Sequence, residues 1–368
     1  MPIRDLPAPT GPHPVGTVSY DLVDPARPEQ YRLPESDSPA RRTIRLQLWY
    51  PAAEEDAASG APSPWMPDGP RHVRGIVRTH GFPSCIWEHT RFMSSNSYHA
   101  AAPGGPLTYP LAIIVHGWEG YRGLHADIAE ELASYGYLVA AADHSYGAAA
   151  TRLEDGTMLR ARDDVLPDRE IGELFAERAA QLVATFAADI ASIREHLATL
   201  DDRVPPGPAP AATLSGANRA VLDALSGRVD PGNLSLIGHS TGGGAAVAYA
   251  LDHPQVAALV GLDAWVEPLG QRRLHTAGLT MPSLFLKSEE WIGHHNEPFL
   301  EPWLSRQQAA GLPVTFEQTT DTTHAQFSAL YMYAPGTRWV GLLGDTDPRA
   351  FAMYQRQRIR EFVLGQRQ

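Results

Sequence analysis

The sequence predicts an α/β fold with a mostly parallel central sheet flanked by helices. Beyond residue 109, continuous apolar runs of strand length alternate with longer segments of helical periodicity, as in parallel sheets buried on both faces. One run, LSLIGHS at 234–240, leads without a linker into the glycine- and alanine-rich segment TGGGAAVAYA. Because such alternation indicates layers packed around one sheet, we expect a single α/β domain over residues 1–368.

The N-terminal part, residues 1–106, has a different sequence pattern. Strict alternation in RTIRLQLWYP at 42–51 predicts a strand, which we expect to pair antiparallel with a second strand at 16–23. Residues 52–106 are rich in Pro, Gly, Ser and Ala, and we expect loops with little regular structure there.

The elements of the parallel sheet then follow in order. The apolar run at 109–117 predicts a strand, the amphipathic segment at 125–136 a helix, and the run at 137–144 a second strand. Residues 145–233 interrupt the alternation and are expected to form an insertion on the ligand side, with a long helix at 175–202. The alternation resumes with predicted strands at 234–240, 256–265, 282–290 and 314–320, and with helices at 241–253, near 299–311 and at about 348–364.

Composition and charge exclude several classes of protein. The net charge of −12 argues against a nucleic-acid-binding protein, because a broad phosphate-neutralising surface is missing. Cys85 is the only cysteine, which excludes an intrachain disulfide and a cysteine-rich metal site. The N-terminus lacks the basic and apolar regions of a signal peptide, and no apolar run reaches the ~20 residues of a transmembrane segment. We therefore expect a soluble cytoplasmic protein.

Ser240 is the candidate nucleophile. It lies between Gly238 and Gly242 in the pattern G-x-S-x-G, where a buried strand is predicted to end and a helix to begin. This context is typical of the nucleophile elbow of the α/β-hydrolase fold, in which a strained corner exposes the serine hydroxyl. The alternatives are a tight turn with an ordinary helix N-cap and a phosphate-binding loop. The phosphate-binding loop fits poorly, because neither G-x-G-x-x-G nor a following lysine is present.

A serine hydroxyl needs a neighbouring base, and in this fold the acid and the histidine follow the serine along the chain. His324 lies just after the last predicted strand, from which it can reach back over the strand ends, and His295 is the alternative. For the acid, Asp263 ends the strand after the serine, whereas Glu289 and Glu290 end the following strand, which is the commoner position. The residues alone favour Asp263, because it follows a dry apolar run, and a buried carboxylate is suited to orienting an imidazole.

An ester hydrolase also needs hydrogen-bond donors for the oxyanion. We expect these to be the backbone N–H groups of Thr241, which follows the serine, and of Trp118 in the turn HGWEG. His116, His239 and Trp265 are predicted to lie around the substrate pocket. His116 is expected to form hydrogen bonds rather than to bind a metal, and neither a metal nor a cofactor is predicted.

These motifs resemble the type II platelet-activating factor acetylhydrolases, the lipoprotein-associated phospholipase A2 group, and their bacterial esterase relatives. The resemblance covers most of the chain and includes RLQLWYP, YPLAIIVHGWEG, ASYGYLVAAADH, LIGHSTGG, GLDAWVEPLG, PSLFLKSE and HAQF in the family's order. GHSxGG occurs in many hydrolases, whereas LDAW…PLG at this distance is far more specific. The resemblance implies that Asp263, 23 residues after the serine, is the acid of a Ser–His–Asp triad.

The resemblance also implies a serine carboxylic-ester hydrolase for short-acyl esters, with a phospholipid carrying a short or oxidised sn-2 chain as the substrate. General small esters, including polyester fragments, are the alternative, because fold and triad do not fix the acyl or alcohol group. A non-catalytic ligand-binding protein on this scaffold is disfavoured, because every catalytic position carries a competent residue. The animal members have an apolar membrane-docking segment, but the corresponding residues 63–92 contain Arg and His among their aromatics, so membrane or lipoprotein docking is not expected.

Overall fold

The computed structural model describes residues 6–33, 36, 38–83, 87–200, 210–329 and 342–366, with the side chains of residues 88 and 91 excepted. Cys85 lies outside the described residues. Within these ranges, one eleven-stranded mixed sheet forms the centre of the molecule, and a hydrophobic layer packs on each of its faces.

The bounds of the elements are as follows. The strands are β1 (Val15–Pro28), β2 (Arg41–Pro51), β3 (Pro62–Pro64), β4 (Ser94–His99), β5 (Tyr109–Val115), β6 (Leu138–Asp143), a separate hairpin of β7 (Thr151–Arg152) and β8 (Met158–Leu159), β9 (Ala211–Thr213), β10 (Val229–His239), β11 (Ala258–Leu262), β12 (Ser283–Lys287) and β13 (Val314–Gln318). The α-helices are α1 (Glu54–Ser59), α2 (Gly69–Thr79), α3 (Ala126–Ser134), α4 (Glu173–Ala198), α5 (Gly216–Leu225), α6 (Thr241–Asp252), α7 (Gly270–Thr276), α8 (Glu297–Ala309) and α9 (Pro348–Leu364). In the described part of the chain, no helix is both long and apolar enough to cross a membrane.

The sheet order confirms the predicted parallel core. The strands lie in the order β13-β12-β11-β10-β5-β6-β2-β1-β4-β3, and β9 pairs with the outer side of β1. Every pair from β13 to β6 is parallel. β2 is antiparallel to β1, as predicted for the strand at 42–51, and it is also antiparallel to β6. The side chains of β6, β11 and β12 are buried throughout, which explains their predominantly apolar sequences.

β5 is the point at which the order of the parallel strands reverses. The chain leaves β5 toward β6 on one side and later returns on the other side as β10. In such sheets the crevice at the carboxyl ends of the strands is the usual ligand site. The carboxyl ends of β5, β10, β11 and β12 therefore share the edge at which a functional site is expected.

Residues 52–106 are more regular than the sequence predicted. They contain α1, β3, α2 and β4, and the expectation of little regular structure is wrong for these stretches. In α2, one face is buried through His72, Val73, Ile76 and Val77, a spacing of three and four residues. Glycines and arginines between these positions give the segment a loop-like composition, but burial of this face in a hydrophobic layer shared with distant segments stabilises the helix.

The segment 145–233, predicted as an insertion on the ligand side, contains the long helix α4. α4 packs against α6 and β10, and its side chains Phe186, Ile190, Ile193 and Leu197 are fully buried. β9 joins the sheet itself. The middle of α4 lies beside the carboxyl ends of β5 and β6, because Phe186 packs on the rings of His116 and His144 (5.7 and 4.1 Å between ring centroids). The long helix is therefore a layer of the fold that also reaches the edge of the sheet at which a functional site is expected.

Candidate active site

Ser240 occupies a strained corner between β10 and α6. Its backbone has φ 55° and ψ −121°, which residues other than glycine rarely adopt. The corner is fixed from two sides, because the Ser240 amide donates to the carbonyl of Leu262 (3.0 Å) and its carbonyl accepts from the amide of Trp265 (2.9 Å). This is the backbone geometry that G-x-S-x-G predicts between a buried strand and a helix.

Two glycines are required because backbone segments meet closely around this corner. A Cβ on Gly242 would lie 2.2 Å from the carbonyl oxygen of Val115 at the end of β5. A Cβ on Gly117, two residues beyond β5, would lie 2.8 Å from the Cβ of Ser240. The absence of these side chains brings the loop after β5 directly against the serine.

Asp263 and His324 are joined by a hydrogen bond, although 61 residues separate them in the chain. Nδ1 of His324 lies 2.9 Å from Oδ2 of Asp263. The carboxylate is fully buried at the end of β11, where Oδ1 accepts from the backbone N–H of Ser288 (2.7 Å) and Oδ2 from its hydroxyl (2.6 Å). Because an ionised carboxylate only accepts, the proton of a neutral imidazole lies on Nδ1, which leaves Nε2 as an acceptor.

The other candidates for acid and base have different contacts. Glu289 and Glu290 are exposed, and both carboxylates accept from backbone N–H groups of the loop that carries His324. Glu290 accepts from the amide of His324 itself (2.6 Å), and Glu289 accepts from that of Asp321. His295 is exposed. The two glutamates thus hold the backbone of the histidine loop, while Asp263 is the carboxylate on the imidazole.

The two predicted oxyanion amides remain without an acceptor within the part of the chain that the structure describes. Thr241 is the first residue of α6, where a helix leaves its N–H groups unpaired. The loop of Trp118 is held by His116, whose Nδ1 donates to the carbonyl of Gly117 (2.7 Å) and whose Nε2 accepts from the amide of His144 (3.2 Å). Both bonds are compatible with a neutral ring, and burial lowers the pKa of His116 well below its usual value.

The other residues predicted around the pocket, His239 and Trp265, are mostly buried. The ring of His239 lies 4.5 Å from that of His324, and its Nε2 is 3.2 Å from the carbonyl oxygen of His324. Trp265 donates from Nε1 to Glu267 (3.0 Å). Glu267 in turn forms a bidentate ion pair with Arg169, which lies just before α4 (2.7 and 2.8 Å). This ion pair links the start of α4 to the loop that follows Asp263.

One group of possible metal ligands lies at the end of β6, two strands from β10. Atoms of Asp68, His72 and Asp143 lie within 4.8 Å of one another. Arg122 contacts both carboxylates, and Arg45 lies 3.1 Å from that of Asp68. Guanidinium groups already supply the positive charge that these carboxylates need, so the group does not offer a free ligand set for a cation.

Comparison with known proteins confirms the resemblance seen in the motifs. The family model for platelet-activating factor acetylhydrolase, isoform II, matches residues 2–349. The chain belongs to this family. Curated relatives include the platelet-activating factor acetylhydrolase of Cavia porcellus, 24% identical over 275 residues and 72% of this chain. A putative phospholipase A2 of Schizosaccharomyces pombe is 24% identical over 349 residues and 84% of this chain.

The extent of these similarities differs among the relatives. This family member spans 60% of the length of the Cavia porcellus protein and 76% of that of the yeast protein. Among solved structures, a ferulic acid esterase from Streptomyces cinnamoneus matches 98% of this chain and 92% of its own, with a TM-score of 0.69 and 21% identity. This likeness establishes the α/β-hydrolase fold that the sequence predicted.

Two side chains of this family member contact the Asp263–His324 pair without having been singled out in the sequence. Ser288 donates twice to Asp263, and the indole of Trp291 stacks on the imidazole of His324. Ser288 lies in the motif PSLFLKSE, and the signal for Trp291 was its position after β12. Because Leu286 of β12 pairs with Leu262, the last residue of β11, the residues that follow β12 lie next to Asp263.

Proposed function

We propose that the protein is a serine carboxylic-ester hydrolase with Ser240 as nucleophile, His324 as base and Asp263 as the acid that orients it. The observation that carries this proposal is the combination of a serine at positive φ with a hydrogen-bonded imidazole–carboxylate pair at the same edge of the sheet. The family membership supports it independently, because the names of the curated relatives describe enzymes that cleave lipid esters.

The proposed reaction uses only groups of the protein. Ser240 Oγ attacks the ester carbonyl carbon while its proton passes to Nε2 of His324, and the carbonyl oxygen becomes an oxyanion. The unpaired amides of Thr241 and Trp118 donate to that oxyanion. Collapse of the intermediate expels the alcohol, which takes the proton from His324, and water then releases the acyl group by the same steps in reverse.

The proposed substrates are short-acyl esters, with the sn-2 ester of a platelet-activating-factor-like or oxidised phospholipid first. The names of the mammalian and yeast relatives support a phospholipid. General small esters and polyester fragments are the second candidate, because the groups that carry the chemistry act on the carbonyl and not on the alcohol.

Loss of esterase activity in Ser240→Ala tests the reaction. Wild-type protein is expected to hydrolyse p-nitrophenyl acetate and to be labelled by a fluorophosphonate at one serine. Ser240→Ala should keep its melting temperature and lose both properties, because the backbone sets the corner. Ser305→Ala, which changes an exposed serine of α8, is the matched control. Labelling at another serine, or no turnover by the wild type, would overturn the proposal.

The substrate class needs a separate measurement. kcat/KM is compared for acyl chains of two to sixteen carbons, both on p-nitrophenyl esters and at the sn-2 position of phosphatidylcholine. We expect a steep decline with chain length in both series and a higher kcat/KM on the phospholipid. A higher value on simple esters at every length would favour the general esterase instead.

A further inference from the structure

Trp291 covers the imidazole of His324. Its indole and that imidazole are almost parallel, with an interplanar angle of 11° and ring centroids 4.6 Å apart. The indole is itself buried, and it lies in a short 3-10 turn, Glu289–Trp291, directly after β12. The contact is made with the ring of His324, so it concerns the group to which the proposed function assigns proton transfer.

A second imidazole, that of His294, also stacks on the indole of Trp291. His294 lies parallel to Trp291 at 9° and 4.4 Å, so that the indole has contacts with two histidine rings. Nδ1 of His294 accepts from the backbone N–H of Asn296 (3.2 Å), which fixes that ring. Burial, together with the nearby His324, lowers the pKa of His294. At neutral pH the ring therefore acts as an uncharged flat support.

The charged and titratable neighbours of His324 come from three strand ends. Asp263, which follows β11, accepts a hydrogen bond from Nδ1 of His324. Glu290, which follows β12, accepts one from the backbone amide of His324. His239 at the end of β10 lies 4.5 Å away, and burial keeps its pKa well below the usual value. His324 therefore has as neighbours two carboxylates, the indole of Trp291 and the imidazoles of His239 and His294, whose pKa values are both lowered by burial.

We propose that Trp291 is a positioning residue for the catalytic histidine: its indole fixes the plane of the His324 ring and stabilises the imidazolium that forms during turnover. The parallel contact opposes rotation of the ring, so Nδ1 stays on Asp263 while Nε2 stays available to the serine. An indole face attracts a cation more strongly than any other side-chain ring. The inference rests on the proposed function, in which His324 carries the proton.

Two substitutions test whether the aromatic face of Trp291 is what acts on His324. Trp291→Leu removes the aromatic face, whereas Trp291→Phe keeps a smaller one. With p-nitrophenyl acetate, Trp291→Leu should lower kcat by roughly 10-fold with KM within twofold, and Trp291→Phe should restore most of that loss. The acidic limb of kcat/KM, measured from pH 5 to 9, should move to lower pH in Trp291→Leu. Ile292→Ala, an exposed neighbour in the same loop, is the control and should match wild type.

The outcomes distinguish this inference from the proposed function. If Ser240→Ala is inactive but Trp291→Leu has a wild-type kcat and pH profile, the positioning role is refuted and the esterase assignment stands. Equal losses in Trp291→Leu and Trp291→Phe, or a changed melting temperature with an unmoved acidic limb, would also refute it. If Ser240→Ala remains active, the proposed function fails whatever the tryptophan variants do.

Discussion

Asp263→Asn is the most informative single change at the site, because the surroundings dictate how the asparagine must lie. The backbone N–H of Ser288 donates to Oδ1 of Asp263 at 2.7 Å, and a backbone N–H cannot accept. The amide oxygen of the asparagine therefore takes that position. Its NH2 group replaces Oδ2, the atom 2.9 Å from Nδ1 of His324. The Ser288 hydroxyl can rotate to accept from the same NH2 group.

This orientation reverses the tautomer of the histidine. The asparagine NH2 group donates to Nδ1, so the imidazole proton moves to Nε2, and Nε2 no longer accepts the proton of Ser240. Loss of the correct tautomer in a serine triad costs on the order of 10⁴ in kcat, or about 5.5 kcal/mol. Volume is unchanged and each hydrogen bond keeps a partner, so we expect the folded structure to persist.

The assay is kcat and KM on p-nitrophenyl acetate, with melting temperature measured on the same preparations. Glu290→Gln is the matched control, because its amide oxygen can still accept from the backbone N–H of His324. We expect Glu290→Gln to stay within about tenfold of wild type. Turnover of Asp263→Asn within tenfold of wild type, or an equally deep loss in Glu290→Gln, would refute the assignment of the acid.

Three further predictions concern stability and metal dependence. Gly242→Ala should lower the free energy of unfolding by about 1–3 kcal/mol, because its Cβ would lie 2.2 Å from the carbonyl oxygen of Val115. The measurement is unfolding in urea, and an unchanged midpoint of the urea transition would contradict the close packing. Burial raises the pKa of Glu130 from its usual 4.5 to about 7, so its contribution to stability is complete below pH 4.5 and is lost as pH rises through 7. Wild type should therefore lose about 3 kcal/mol relative to Glu130→Gln between pH 4.5 and 8, and parallel pH profiles would exclude this. EDTA should leave esterase activity unchanged, because the proposed reaction uses only protein groups; a loss that zinc or calcium restores would argue otherwise.

The sequence by itself determined the features that depend on neighbouring residues. β5, β6 and β10–β12 are apolar because both of their faces are buried, and α9 is periodic because one stripe of it is buried. Each of these patterns can be seen within the segment itself. The corner at Ser240 could be predicted because only glycines permit the backbone contacts around it. The assignment of Asp263 rather than Glu290 came from the buried character of its strand and from the family resemblance.

Tertiary structure decided what depends on segments far apart in the chain. The bond between His324 and Asp263, the two bonds from Ser288 and the stack of Trp291 all require β11, β12 and the loop after β13 to end side by side, and no local period records that adjacency. The helix α2 was missed because its stability comes from burying one face in a hydrophobic layer formed with distant segments, and not from its own helix propensity. For the same reason, the apolar stripe of α4 shows that one face is buried, but not which surface buries it.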